Sequence, residues 1–304
     1  MYENLDHVVL TFNKESLLLL NACIALIMFG VALDLKVHHF KYLLKTPKVI
    51  FIGLASQLLL LPLITFLLVL LLKPSPSMAL GMMLVAACPG GNVSNFYASL
   101  SNGNVALSVS LTAITSSLAF LSTPLNFTFW ANQYAPTAAI LHSVKLDILD
   151  VIITVVFILV IPLVLGMLVN KKHPKTTLKI AKPIKRLSIL IFAGFVVGAL
   201  ASNFDHFVNY IFNFIFLVMI HNALALTTGY SFSKLFKIGI PETRSITIET
   251  GIQNSGLALV IIFEYFNGMG GMAIIAAWWG VWHLISGALI SWQWSSRPAI
   301  AATP

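Results

Sequence analysis

Charged side chains are scarce in this sequence. Asp, Glu, Lys and Arg make up 9% of its 304 residues, whereas hydrophobic residues make up 58%. Globular domains carry about 25% charged residues, and each membrane-spanning helix needs about 20 mostly apolar ones. The composition therefore excludes an ordinary soluble domain and predicts an all-α polytopic membrane protein, in contact with the lipid bilayer along most of its length.

Cysteines and catalytic motifs are also scarce. Cys23 and Cys88 lie in separate apolar runs, too far apart for a disulfide framework or a zinc site, so we expect buried thiols. No HExxH motif, Ser–His–Asp set or pair of acids lies at the predicted midplane of the apolar runs, which argues against an enzyme. Acidic residues outnumber basic ones before Leu17, unlike a secretory signal, so the first run is expected to be a retained span.

Nine apolar runs are long enough to be membrane spans. A mixed stretch after the fourth run, Pro136–Leu149, predicts an interfacial helix or loop. The predicted spans are Leu17–Val37, Val49–Leu72, Ser77–Leu100, Asn104–Ala131, Asp150–Asn170, Leu187–Ala201, Phe207–Phe232, Ser245–Phe266 and Gly271–Trp294.

The basic residues fall on alternate connections between these spans. With the N-terminus outside, the cytoplasmic segments hold fifteen of the 18 Lys and Arg, and the outer segments hold three. Cytoplasmic loops of membrane proteins carry an excess of Lys and Arg, so the count predicts an outside N-terminus and a cytoplasmic C-terminus. The same distribution explains the net charge of +8, so this charge does not indicate a nucleic-acid partner.

Two of the nine runs are interrupted by helix-breaking residues. The third contains CPGGNVSN (88–95) and the eighth contains TIETGIQNSG (247–256). Unwound backbone survives at membrane depth only where protein or a wet cavity satisfies its polar groups. A polar residue lies on the span before each interruption, Gln57 and Asn222, and one long span follows each. The pattern is typical of an inverted-repeat secondary transporter with its site at the midplane.

Each interruption provides groups that suit ions. The start of the second half-helix offers free N–H groups to an anion, and unwound carbonyls suit a hard cation. Pro89 removes a hydrogen-bond donor, and Gly90 and Gly91 allow the backbone to approach a ligand. Asn92 or Ser94 is expected to cap the second half-helix.

Glu249 is the one acid that lies within a predicted span beside an interruption. A carboxylate at that depth costs roughly 2.5–3.5 kcal/mol and needs a partner. Apart from Lys36 at the end of the first one, the predicted spans contain no Lys or Arg, so the partner is a proton or a metal cation. Ser108 and Thr112 share one helix face and can turn towards the third span. Neutral oxygens with one carboxylate favour sodium over calcium, although a protonated Glu249 remains the alternative.

The order of the motifs resembles the bile acid:sodium symporter (BASS) family. From Leu17 onwards the chain carries MFGVALDLK, TPKV, CPGGNVSN, GNVALSVSLT, ETGIQNSGLA and VWHLISG in the family's order. CPGG–SN together with E-x-G-x-Q-N at this spacing is specific. The resemblance implies a nine-helix member with an outside N-terminus, in which the two discontinuous helices cross.

The resemblance also implies which residues bind the transported ions and the substrate. Family members hold two Na⁺ ions at the crossing and an organic anion beside it. One departure is Leu284, where some bacterial members have Asn, so a polar substrate contact is expected to be absent. The positions implied are Ser94, Asn95, Ser108, Thr112 and Glu249 for sodium site 1; Gln57, Glu249, Thr250, Ile252 and Gln253 for sodium site 2; and Asn92, Asn254, Ser255 and His283 for the substrate.

In the family a panel of helices rocks against a core. The resemblance implies one transporter domain over residues 1–304, with a panel of 17–37 and 150–202 and a core of 47–131 and 206–294. We therefore expect a multi-pass protein of the plasma (bacterial inner) membrane that imports an organic anion with sodium, without an obligatory protein partner. The alternative is a proton-coupled or uncoupled carrier of a small carboxylate, such as a keto acid or a pantoate-like acid.

Overall fold

The computed structural model describes residues 14–33, 46–144, 146–202 and 204–296. In these ranges the chain is almost entirely helical, and the β-type pairing is a single antiparallel bridge between Gly90 and Gln253. The end of the first predicted span, residues 34–37, and the basic segment that continues to Lys45 lie outside them. The helices are α1 (Lys14–Ala32), α2 (Pro47–Leu72), α3 (Pro76–Ala87), α4 (Val93–Leu100), α5 (Val105–Asn132), α6 (Ala135–Val144), α7 (Ile148–Lys172), α8 (Pro174–Ser202), α9 (Phe204–Leu235), α10 (Ile240–Gly251), α11 (Ser255–Tyr265) and α12 (Gly270–Ser295).

Several of these helices are long and apolar enough to cross a bilayer. Among the described residues five meet that length and composition, and three shorter apolar helices accompany them. The predicted class of an all-α polytopic membrane protein is thereby confirmed. The five long helices are Pro47–Leu72, Val105–Asn132, Ile148–Lys172, Phe214–Leu235 and Gly270–Ser295.

Both predicted interruptions are present. The third predicted span is divided into α3 and α4, and the eighth into α10 and α11. Every residue of α3 from Ser77 to Ala87 is buried, as is every residue of α11 from Ser255 to Phe263. A helix that is apolar on all sides belongs in a protein interior. The breaks therefore lie inside the helix bundle and not against lipid.

Two long helices widen for one turn before a proline. Ser56–Leu60 in α2 and Val156–Val160 in α7 form π-helical turns. Pro62 and Pro162 follow directly in the next α-helical segments. A proline lacks the N–H that would bond to the carbonyl one turn earlier, and its ring crowds that carbonyl, so a local π turn relieves the clash. In α2 this π turn contains Ser56 and Gln57. The wider turn changes the face of α2 on which both side chains lie.

The structure differs from the predicted span bounds in the basic connection 171–186. It is mostly helical, because α8 already begins at Pro174. Proline is favoured at the first position of a helix, and Lys and Arg are good helix formers, so the helix extends beyond its apolar part. The mixed stretch after α5 also forms a helix, α6.

The helices pack in two main groups. Helix α1 packs against α7 and α8. Helix α12 packs against α3, α9 and α11, and α10 packs against α9, α4 and α5. The two groups touch where α1 meets α11 and where α7 meets α5. The two breaks lie within the second group.

Candidate functional site

The two broken helices meet at their unwound segments. The Gly91 N–H donates to the Ile252 carbonyl at 2.7 Å, and the Asn254 N–H donates to the Pro89 carbonyl at 2.8 Å. These reciprocal bonds satisfy backbone groups that the breaks would otherwise leave unpaired in an apolar interior. Each break thus stabilises the other.

Gly90 and Gly91 make this close contact possible. A Cβ at Gly90 would lie 2.2 Å from Glu249 Oε1 and 3.0 Å from Gln57 Nε2. A Cβ at Gly91 would lie 2.9 Å from the carbonyl oxygen of Gln253. The glycines were predicted to let backbone approach a ligand. In this structure they admit the opposite break and its side chains.

Glu249 is buried at this crossing, with 1% of its surface exposed. It lies in the last turn of α10 and accepts hydrogen bonds only from hydroxyl groups within the described part of the chain. Ser94 of α4 donates at 2.6 Å, Ser108 of α5 at 3.0 Å and Thr112 of α5 at 2.6 Å. A shared helix face for Ser108 and Thr112, predicted from their spacing, is confirmed by these contacts.

Asn95 completes a cluster that has more acceptors than protons. Its Oδ1 lies 2.9 Å from Ser108 Oγ and 3.4 Å from Thr112 Oγ1. Each hydroxyl carries one proton, so Ser108 satisfies either Asn95 or Glu249 at a given moment. The surplus of oxygen lone pairs around one carboxylate is the donor set that a small hard cation prefers. The five residues implied for sodium site 1 are therefore gathered in one place.

The residues implied for sodium site 2 also converge beside Glu249. Gln57 Nε2 donates to Gln253 Oε1 at 3.3 Å, and Gln253 Nε2 donates to the Thr250 carbonyl at 2.8 Å. Gln57 Oε1 is buried without a hydrogen-bond partner. The Ile252 carbonyl accepts from Gly91, so it retains one lone pair for a cation.

Two further polar residues support the second break. Asn222 of α9 donates from Nδ2 to the Gly251 carbonyl at 2.7 Å, at the end of α10. Ser56 Oγ lies 3.0 Å from Thr250 Oγ1. Asn222 was noted as the counterpart of Gln57, but Ser56 was missed, because its orientation depends on the π turn of α2. The sequence signal that could have indicated Ser56 was its position directly before Gln57.

The residues implied for substrate lie on both sides of the crossing. Asn92 Nδ2 contacts Met28 Sδ of α1 at 3.7 Å, while Asn92 Oδ1 is buried without a partner. Asn254 Oδ1 accepts from the Leu257 N–H at 3.1 Å and so caps α11. His283 of α12 is buried and its Nδ1 has no partner. Ser255 lies against α12, where a Cβ at Gly280 would be 2.7 Å from its Oγ.

The capping prediction for α4 is wrong. Asn92 occupies the position before the helix but makes no side-chain cap, and the Ser94 hydroxyl donates to Glu249 instead. The Ser94 N–H bonds to the Gly91 carbonyl at 2.9 Å, so a backbone turn satisfies it. A charged acceptor makes the stronger hydrogen bond, which explains why Ser94 turns towards the carboxylate.

Comparison with known proteins agrees with this geometry. The sequence profile of the sodium bile acid symporter family matches residues 21–210 of the chain. The chain belongs to the sodium bile acid symporter family. Within it, YocS of Bacillus subtilis, an uncharacterized sodium-dependent transporter, is 30% identical over 274 residues, which cover 90% of this chain and 82% of the relative. The resemblance inferred from the motifs is thus confirmed.

Relatives in this family also occur in plants and animals. The probable sodium/metabolite cotransporter BASS1, chloroplastic, of Arabidopsis thaliana is 31% identical over 88% of this chain and 64% of its own length. The sodium/bile acid cotransporter 5 of Rattus norvegicus is 28% identical over 81% of this chain and 54% of its own length. The chain therefore spans less than two thirds of these longer proteins. Membership makes it part of a family of sodium-dependent membrane transporters.

Proposed function

We propose that the protein is a sodium-coupled symporter that imports an organic anion, such as a bile acid or another amphipathic or small carboxylate. The observation that carries the proposal is the buried Glu249, which accepts from three hydroxyl groups of two helices where two broken helices meet. A buried carboxylate without a basic partner is unfavourable unless a cation or a proton accompanies it. The family's dependence on sodium favours the cation.

Two Na⁺ ions would share Glu249. The first would be held by the hydroxyl cluster with Asn95. The second would lie on the other side of the carboxylate, near Gln57 Oε1, Gln253 and the carbonyls of Thr250 and Ile252. The buried, unpartnered Gln57 Oε1 supports this second position, because a buried acceptor without a donor is costly.

The anion would bind beside the crossing, next to the N-terminal ends of α4 and α11. These ends direct the positive end of the helix dipole towards a carboxylate. Asn92, Asn254, Ser255 and His283 are the proposed contacts. Since Asn254 already caps α11, its contribution would come from the amide Nδ2 and not from Oδ1.

Transport would proceed by alternating access in a nine-span inverted repeat. The mutual packing of α1, α7 and α8 supports a panel formed by these helices, which would move against the core that holds both breaks. We place the N-terminus outside and the protein in the plasma (bacterial inner) membrane, because of the distribution of Lys and Arg. The proposed activity is transport and not catalysis, in keeping with the transporter names of the relatives.

A proton-coupled or uncoupled carrier of a small carboxylate is the second candidate. The observation that favours it is the same surplus of acceptors around Glu249, because one added proton would also relieve it. Such a carrier would take up its substrate equally well in sodium and in choline.

Uptake into proteoliposomes tests the two candidates. Purified protein is first screened for thermal stabilisation by taurocholate, pyruvate and pantoate, with and without sodium. The radiolabelled form of the best ligand is then supplied under an inward sodium gradient or with choline in its place. Sodium-dependent accumulation is the expected result. Equal accumulation in choline would favour the second candidate, and binding without counterflow would indicate a receptor.

A further inference from the structure

Hydrogen bonds join the start of α5 to the first turns of α10. Ser245 Oγ donates to the Asn104 carbonyl at 2.8 Å, and the Asn104 N–H donates to the Pro241 carbonyl at 3.0 Å. Asn104 Nδ2 donates to Glu242 Oε1 at 2.9 Å. We call Asn104, Glu242 and Ser245 the clamp. Its contacts connect the two helices that carry Ser108, Thr112 and Glu249.

The clamp lies one turn before the cation site on both helices. Ser245 precedes Glu249 by four residues on α10, and Asn104 precedes Ser108 by four residues on α5. Residues four apart lie on one face of a helix. The Ser245–Asn104 bond and the Ser108–Glu249 bond are therefore successive contacts along the same helix–helix interface. A shift of α5 along α10 would disturb both.

The surroundings of the clamp leave little freedom for such a shift. Ser245 is fully buried, so water does not replace its bond. Gly103 packs tightly against it, because a Cβ there would lie 2.8 Å from Ser245 Oγ. Arg244, the residue before Ser245, donates from Nη1 to the Ser101 carbonyl at 2.8 Å. This bond joins the same turn of α10 to the end of α4. Asn104 also caps α5 by accepting from the Leu107 N–H at 3.0 Å.

We propose that Ser245 and Asn104 are positioning residues for the cation at Glu249: they hold α5 in register with α10, so that the Ser108 and Thr112 oxygens meet the carboxylate before the ion arrives. This inference rests on the proposed function, since it concerns the affinity of the same sodium site. Preorganised ligands bind more tightly because less ordering remains to be done on binding. Neither residue contacts the ion itself.

Ser245→Ala tests the clamp with the least disturbance. The substitution removes the bond to Asn104 and leaves all proposed ligands intact. The loss of one buried hydrogen bond, about 1–1.5 kcal/mol, corresponds to about a five- to tenfold rise in the sodium concentration that gives half-maximal thermal stabilisation. The maximal rate of uptake at saturating sodium should remain close to that of the unaltered protein. Ser233→Ala is the matched control, because Ser233 is equally buried and its hydroxyl bonds within its own helix, to the Gly229 carbonyl at 2.7 Å.

Asn104→Ser is the second variant, and it keeps the inference testable if Ser245→Ala does not fold. Serine still caps α5 but does not reach Glu242, so sodium affinity should fall about threefold while the helix start is preserved. Asn104→Ala loses the cap as well and should be less stable even without sodium. An equal loss of thermal stability in Ser245→Ala and Ser233→Ala, with unchanged sodium dependence in both, would overturn the clamp. Unaltered protein that shows no response to sodium would instead overturn the proposed function.

Discussion

Replacing Glu249 with Gln separates the cation site from the stability of the fold. The change keeps the size of the side chain and one carbonyl oxygen but removes the charge. With the amide oxygen in the place of Oε2, Ser94 and Ser108 retain their acceptor. The amide NH2 can then donate to the Thr112 hydroxyl, which also donates to the Ser108 carbonyl, so the packing at the crossing should persist. A buried charge that lacks a basic partner is costly, so neutralising it should not destabilise the fold. Without sodium, the melting temperature of Glu249→Gln should therefore equal or exceed that of the unaltered protein.

With sodium the expected result is reversed. At about 4 Å and an effective dielectric constant of about 20, two unit charges attract by about 4 kcal/mol. Without this attraction, Glu249→Gln should bind sodium about a thousandfold more weakly. Ligand at 100 times its Kd stabilises the fold by about 2.7 kcal/mol, and this increment should vanish in the variant. Both proposed ions depend on Glu249, so both should be lost together.

The assay is thermal unfolding of detergent-solubilised protein across a sodium series, with choline to hold ionic strength constant. Glu264→Gln is the control, because Glu264 is an exposed carboxylate on α11, the helix beyond the same break. The control should keep the full sodium response. A Glu249→Gln protein whose melting temperature still rises with sodium at the original half-maximal concentration would refute the assignment of Glu249 as the shared ligand.

Three further changes test other parts of the site. Gly90→Ala places a Cβ 2.2 Å from Glu249 Oε1, so we expect loss of the sodium-dependent rise in melting temperature; a normal sodium response would contradict the tight crossing. Gln57→Ala removes a proposed ligand of the second ion only, so the Hill coefficient for sodium in uptake should fall from about 2 towards 1 while binding at the first site persists, and an unchanged coefficient would argue against a second ion there. Tyr265→Phe removes the bond from the Tyr265 hydroxyl to the Asp150 carbonyl, 2.7 Å long, which joins α11 to α7. Amide hydrogen exchange at the facing ends of these two helices should then rise about fivefold, and unchanged exchange would show that this bond does not hold them together.

Much of the candidate site follows from residue chemistry. Glu249 stands out because it is an acid in an apolar run with no basic residue within reach. The two breaks stand out because Pro89 and the neighbouring Gly and Asn residues are unfavourable inside a continuous helix. The pairing of Ser108 with Thr112 follows from helical periodicity alone. These features are local, so the sequence carries them directly.

Other features depend on contacts between distant parts of the chain. The capping of α4 was predicted wrongly because the Ser94 hydroxyl can either accept from a backbone N–H or donate to a carboxylate, and only the position of α10 decides between these roles. The role of Ser56 was missed because a π turn before Pro62 alters the face of α2 that it occupies. The cap that the Asn254 oxygen forms on α11 was not predicted.

The sequence by itself determined the class of the protein, the positions of the two breaks and the single acid that lies within a predicted span beside a break. Hydrophobic length, helix-breaking residues and the cost of a buried charge are properties of short segments, and they need no partner to be recognised. The tertiary structure alone decided that Gly91 pairs with Ile252, that three hydroxyls from two helices converge on Glu249, and that Ser245 holds their register. The rotation and sliding of one helix against another are set by packing over the whole bundle, which no short segment encodes.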